Sequence, residues 1–188
     1  MAKIGLKNFY YAVATENPST GALTYAQATK PAKAISFSFE PSVSNATLYA
    51  DDAIAEQDTS VTGGTCTMGV DRLDEATLSA LLGHTLATSG GEETSNTDDV
   101  APYVGLGRVV TLMQDGALKY RAVFFPKVKF QEPSASNATK GETTEFGTYE
   151  ISGTVVPDAE GNWRYKNTFD TEAAAVSYLL GKMGSTTA

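Results

Sequence analysis

A chain of 188 residues with 22 acidic and 14 basic side chains, a net charge of -8 and 19% charged residues fits one domain, which at this size buries roughly 70% of its unfolded surface. The acidic balance argues against a dedicated nucleic-acid binder, because phosphate binding is driven by Lys and Arg, and the single cysteine, Cys66, excludes an intrachain disulfide and a cysteine-rich metal centre. No stretch approaches the ~18 consecutive apolar residues of a membrane span, and Met1 to Asn8 lacks the apolar run of a secretory signal, so neither export by that route nor membrane insertion is expected.

Ile4 to Thr15, centred on Phe9-Tyr-Tyr-Ala-Val13, reads as a first strand that stops at the turn-prone Glu16-Asn-Pro-Ser-Thr-Gly21. From Lys33 onward Ile35, Phe37 and Phe39 alternate with Ser36 and Ser38, the period of a strand with one buried face. Pro41 either limits that strand or marks an edge or bulge. After Leu48 and Tyr49 comes the acidic stretch Ala50 to Asp58, readable as a short helical turn or an irregular arm. Gly63 and Gly64 then open Thr65 to Val70, in which Cys66, Met68 and Val70 share one side. The excursion therefore leaves one strand and returns to another.

Asp74 to Gly83 predicts a helix of two to three turns: acids in the first turn, Leu78, Leu81 and Leu82 at helical spacing, and glycine where a C-cap belongs. Thr85 to Val100 is polar, glycine-bearing and acidic, which predicts an exposed and mobile loop. Tyr103 to Met113 and Leu118 to Phe130 flank Gln114-Asp-Gly-Ala117, a hairpin signal. Glu132 to Gly141 reads as a second loop, Phe146 to Val156 as a strand, Asp158 to Asn162 as a turn, and Trp163, Tyr165 and Phe169 as a final strand packed by aromatics. Asp170 is placed to cap a closing helix from Thr171 through Met183, whose Val176, Leu179, Leu180 and Met183 supply an apolar stripe. The expected fold is mainly β, a β-dominated α+β single domain over 1–188 with one or two flanking helices, an arm at 48–64 and an acidic loop at 87–100.

Enzyme chemistry is thinly supplied. His84, the only histidine, lies just past a helix-ending glycine and reads as a cap or boundary residue; Cys66 reads as a small buried apolar side chain. Asp51, Asp52, Glu56 and Asp58 fall within eight residues but lack the glycine and closing glutamate of a calcium loop, so solvation or contact with basic residues on a neighbouring subunit is the preferred reading. Gly105-Leu-Gly107 completes no phosphate-binding spacing. Lys127 and Lys129 alternate with Val128 and Phe130, a charged strand face opposite a buried one. No catalytic, cofactor or metal residue is assigned, and no activity as an enzyme is expected.

Five segments follow one another along most of the chain: Leu48 to Asp71, Asp99-Val-Ala-Pro-Tyr-Val-Gly-Leu-Gly-Arg108, Lys127-Val-Lys-Phe-Gln-Glu-Pro133, Lys140-Gly-Glu-Thr-Thr-Glu-Phe-Gly147 and Thr168-Phe-Asp-Thr171. In their sum the chain resembles the major tail proteins, or tail tube proteins, of long-tailed phages infecting Gram-positive bacteria. The resemblance implies a β-sandwich or barrel-like core with a flanking helix, and homohexameric rings stacked into a tube. It places the protein in the virion tail, assembled in the host cytoplasm, with tail tip, tape measure and tail terminator proteins as further partners. DNA would pass through the channel without specific binding, and neither cofactor nor membrane is involved. Carried onto this chain, the expected subunit contacts are Ile4 and Leu6 in the first strand, Tyr49, Asp51, Asp52, Ile54, Glu56 and Asp58 in the arm, Asp98 and Asp99 in the acidic loop, and the C-terminal stretch. The alternative from another class is a monomeric carbohydrate-binding or adhesin-like β-sandwich in which Tyr25, Tyr103, Tyr149 or Trp163 stacks on a ligand.

Overall fold

The computed structural model describes residues 2–50, 53–87, 91–134 and 148–185. In chain order these form β1 (Ala2–Glu16), β2 (Leu23–Tyr25), β3 (Ala34–Ala50), β4 (Ala53–Val70), α1 (Glu75–Leu82), β5 (Thr85–Leu86), β6 (Glu93–Thr94), β7 (Tyr103–Gln114), β8 (Ala117–Phe130), β9 (Tyr149–Val155), β10 (Tyr165–Phe169) and α2 (Glu172–Lys182). The fold is mainly β with two helices, as the alternation of apolar residues predicts, and no described helix is long and apolar enough to cross a membrane.

One antiparallel sheet runs in the order β2-β1-β7-β8-β9-β4-β3, with β10 also on β8. The Asp115-Gly116 turn between β7 and β8 has φ of 52° and 79°, the left-handed pair that matches the twist of a two-residue hairpin. Because β7 occupies one edge of β8 almost throughout, the other edge is divided: β10 pairs with Tyr120 to Phe124 and β9 with Val128 to Phe130. There the sheet splits. β9, β4 and β3 fold back across β1, β7 and β8, bringing the Phe37 ring to 6.0 Å from Phe9 and 5.8 Å from Phe125.

Strand alternation sends side chains to two cores. Phe9 and Tyr11 of β1 join Cys66, Met68, Leu106, Phe125 and Ile151 between the folded-back layers. Tyr10 and Ala12 of the same strand face the opposite way, with Val109, Ala122 and Phe124, and are covered by Ala175, Leu179 and Met183 of α2 and its C-cap. A sheet buried on both faces explains why β7 and β8 read as nearly continuous apolar runs.

Of the two readings of Pro41, that of an edge or bulge holds: β3 runs on through it as the outermost strand, which tolerates the missing N–H, and its register slips one residue later, between Ser42 and Val43. Several expectations are corrected. A second slip between Ala34 and Ser36 breaks the alternation, so Ile35 is 49% exposed while Phe37 and Phe39 pack inward. The acidic stretch is neither helical nor irregular in its described part but strand, the outer half of β3 and β4. The segment after α1 is no uniform loop, since β5 and β6 pair within it. β9 begins at Tyr149, residues 135–147 lying outside the described part. Thr171, not Asp170, caps α2: its hydroxyl accepts from the Ala174 N–H at 3.3 Å, whereas Asp170 is paired with Lys119.

At the start of α1 the Asp74 carboxylate accepts from the Thr77 N–H at 2.9 Å, and the hydrogen bonding from Thr77 holds its pKa below the ordinary 3.8. Asp74→Ala is expected to lower stability by about 1 kcal/mol at neutral pH. A carboxylate depressed in the folded state contributes fully above its unfolded value and loses that contribution as pH falls through the folded one. Urea midpoints of wild type and variant should therefore differ at pH 7 and converge in strong acid; a constant difference would deny the cap its charge.

Candidate assembly surface

Beyond Ser42 and Gly63 the β3–β4 hairpin leaves the body. β9 accompanies β4 only as far as Gly64, so both flanks of the outer hairpin are unpaired among the described residues. The root is tight: Gly63 has φ 148°, and a Cβ there would stand 2.5 Å from the Val155 carbonyl oxygen. From Val43 to Ala50 the hairpin extends eight residues, roughly 26 Å at about 3.3 Å per residue. Every described side chain from 43 to 47 and from 56 to 62, and Ile54, is exposed.

The register gives this arm two different faces. Val43 pairs with Val61, Asn45 with Thr59 and Thr47 with Gln57; a bulge then brings Ile54 opposite Tyr49. Side chains at paired positions share a face, so Val43, Val61 and Ile54 lie on one side, 47%, 39% and 61% exposed. Glu56 and Asp58, opposite Leu48 and Ala46, occupy the other. One side of the arm thus carries three exposed aliphatic residues interspersed with Asn45, Thr47, Gln57 and Thr59, and the other carries the two carboxylates.

Of the remaining expected contact residues, Ile4 is 53% exposed on β1, while Leu6 packs against the inter-sheet core. Asp98 is exposed; Asp99 accepts from the Asn96 N–H at 2.7 Å and closes its own turn. Tyr49 lies in β3, and Asp51 and Asp52 fall outside the described residues. The arm thus gathers Ile54, Glu56 and Asp58, whereas Ile4 and Asp98 belong to separate elements.

The aromatic residues of the alternative reading are mostly engaged. The Tyr25 hydroxyl donates to the Pro126 carbonyl at 3.0 Å, Trp163 stacks on Phe39 at 5.3 Å, and the Tyr103 ring carries the Lys127 ammonium at 4.4 Å. Tyr149 alone of the four is exposed, at 50%. His84 is an internal tie: Nδ1 lies 2.6 Å from Glu93 Oε1 and Nε2 3.3 Å from Glu132 Oε2. Cys66 is fully buried and its thiol is pushed up to about 12 by that burial. Among the described residues no group of three or more His, Cys, Asp or Glu is arranged to hold a metal.

Lys127 and Lys129 share one strand face, both over the Tyr103 ring, opposite the core residues Val128 and Phe130. Lys127 is buried, with its ammonium 2.7 Å from Glu16 on β1.

A second concentration of charge is invisible in the linear sequence. Cross-strand register aligns Arg108 of β7, Val123 of β8 and Lys166 of β10 in one row, and Val110, Arg121 and Thr168 in the next. Lys3 of β1, Arg108 and Arg164, just before β10, line a cleft of about 420 Å³ together with Ile35, Phe37 and Phe39 of β3, and Lys166 and Arg121 stand beside it. The Arg108 guanidinium lies 3.9 Å over the Phe37 ring, and its Nε is buried without a hydrogen-bond partner among the described residues. Burial pushes Arg108 down to about 10, with Arg164 adding to the effect. Lys166 is lowered first by burial and then by Arg164, Arg121, Lys3 and Arg108, which places four other cations in its field.

No family model matches the chain, and no curated protein matches it. Its own geometry is what any assignment rests on.

Proposed function

We propose that this chain is the tube subunit of a phage tail, six copies forming a ring and rings stacking into the conduit through which the genome leaves. The chain-wide wording from Leu48 to Thr171 supports this reading, and the observation that carries it is the arm. Ordering backbone costs about 1–2 kcal/mol per residue, and the described side chains of the outer hairpin are all exposed in one copy. The hairpin contributes to stability once another copy covers its aliphatic face. A monomeric binding module gains nothing from such an arm. On this reading the tail tip, tape measure and tail terminator proteins are the further partners, the location is the virion tail after assembly in the host cytoplasm, and no catalysis is involved.

The test is sedimentation and negative-stain imaging over a concentration series. Monomer or weak association is expected in dilute solution, with rings or tubes at high concentration or on a nucleating tail tip. A particle that stays monomeric throughout, or tails that contain no copy of the protein, would overturn the assignment.

A further inference from the structure

A chain of net charge -8 has gathered Lys3, Arg108, Arg164 and Lys166 in and beside one cleft of the inner sheet face. No described carboxylate lies within ion-pair distance of Lys3, Arg108, Arg164 or Lys166. A buried guanidinium donor left unmatched is costly, of order 1–3 kcal/mol or more. Its desolvation makes a carboxylate that reaches it a strong partner, because charge-assisted guanidinium–carboxylate bonds gain from a partly dry site.

We infer that this cleft receives the carboxylates of Glu56 and Asp58 from the arm of a second copy of this chain. The inference rests on the self-assembling reading above. Three observations choose this occupant. The carboxylates are exposed and form no ion pair among the described residues. They share one face of an extended hairpin, and a two-stranded ribbon can carry a side chain down to the recessed Arg108 Nε. A rigid nucleic-acid duplex is far wider than a cleft of this volume and reaches only its rim. The contact is also head-to-tail: the arm of one copy and the cleft of the next are different surfaces, so it repeats without end along a stack. The acidic face would then guide register while the aliphatic face is covered.

Two variants with opposite charge reversals test the pairing. One is Arg164→Glu with Lys166→Glu at the rim of the cleft; the other is Glu56→Lys with Asp58→Lys on the arm. Unchanged urea midpoints establish that each folds. Each alone should raise the concentration needed for tube formation at least about tenfold at low salt, and an equimolar mixture of the two should restore it, because each then supplies the complement the other lacks. Wild-type tubes with equal assembly by both variants would overturn the inference and leave the tube reading standing. Failure of the mixture to recover would overturn it as well. A wild type that never assembles would remove the tube reading and this inference together. Tight binding of a short DNA duplex at about 50 mM salt, abolished by the cleft variant while assembly is unaffected, would assign the cleft to phosphate instead and also overturn it.

Discussion

Phe125→Ala is expected to lower folding stability by about 3–5 kcal/mol, a large share of the roughly 5–15 kcal/mol that holds a typical domain. Phe125 is fully buried where the folded-back layer meets β8, its ring centroid 5.8 Å from Phe37 and 5.2 Å from Phe39. Truncation removes the ring's transfer free energy and leaves a void. That void closes poorly, because β4 holds Phe37 and Phe39 in register through backbone pairs to Met68 and Cys66. Urea denaturation should show a reduced midpoint with an unaltered slope, the sign of lost stability without a change in the surface exposed. A loss below about 1 kcal/mol would mean that the two layers are not joined through this ring.

Ile54→Asp is expected to leave the monomer's denaturation midpoint within about 0.5 kcal/mol of wild type, as befits an exposed position, and to abolish most tube formation. Ile54 is 61% exposed on the outer hairpin, whose flanks are unpaired among the described residues. Full burial of such a side chain is worth about 1.5–3 kcal/mol, and around the proposed ring of six copies the sum would be roughly 9–18 kcal/mol per ring contact. The aspartate forfeits that and adds the burden of burying a charge. Ile54→Val, which keeps the shape and most of the area, should assemble nearly as wild type does. Pelleting of tubes followed by imaging reads both variants. Equal yield from Ile54→Asp with unchanged thermal stability would exclude the aliphatic face from assembly.

Elements defined by local chemistry were the readable ones. Asp74 and Gly83 bracket α1, Asp115-Gly116 sets the β7–β8 hairpin, and the stripe of Val176, Leu179, Leu180 and Met183 marks α2. Hydrophobic periodicity reports burial, however, and the outer arm has none, so its strand character could not be read from Ala50 to Asp58. Neighbouring capping residues posed a different problem: Asp170 and Thr171 are equally able to cap, and Lys119, distant in sequence, takes the aspartate. The burial of Lys127 depends on Glu16, which is distant in sequence. The cleft needed most of all the registers of β7, β8 and β10, since residues 3, 108, 121, 164 and 166 become neighbours only when those strands align.

The unpaired flanks of the arm bear on how such a chain can diverge. Nothing in the body constrains the hairpin's length, so insertions and deletions there escape the selection that fixes the core. The pleat still imposes a parity. Adding two residues to each strand lengthens the reach by roughly 6.6 Å and keeps every side chain on its side; adding one to a single strand exchanges the acidic and aliphatic sides beyond that point. Length variants that survive should therefore be even-numbered in each strand, or carry a second bulge that restores the phase.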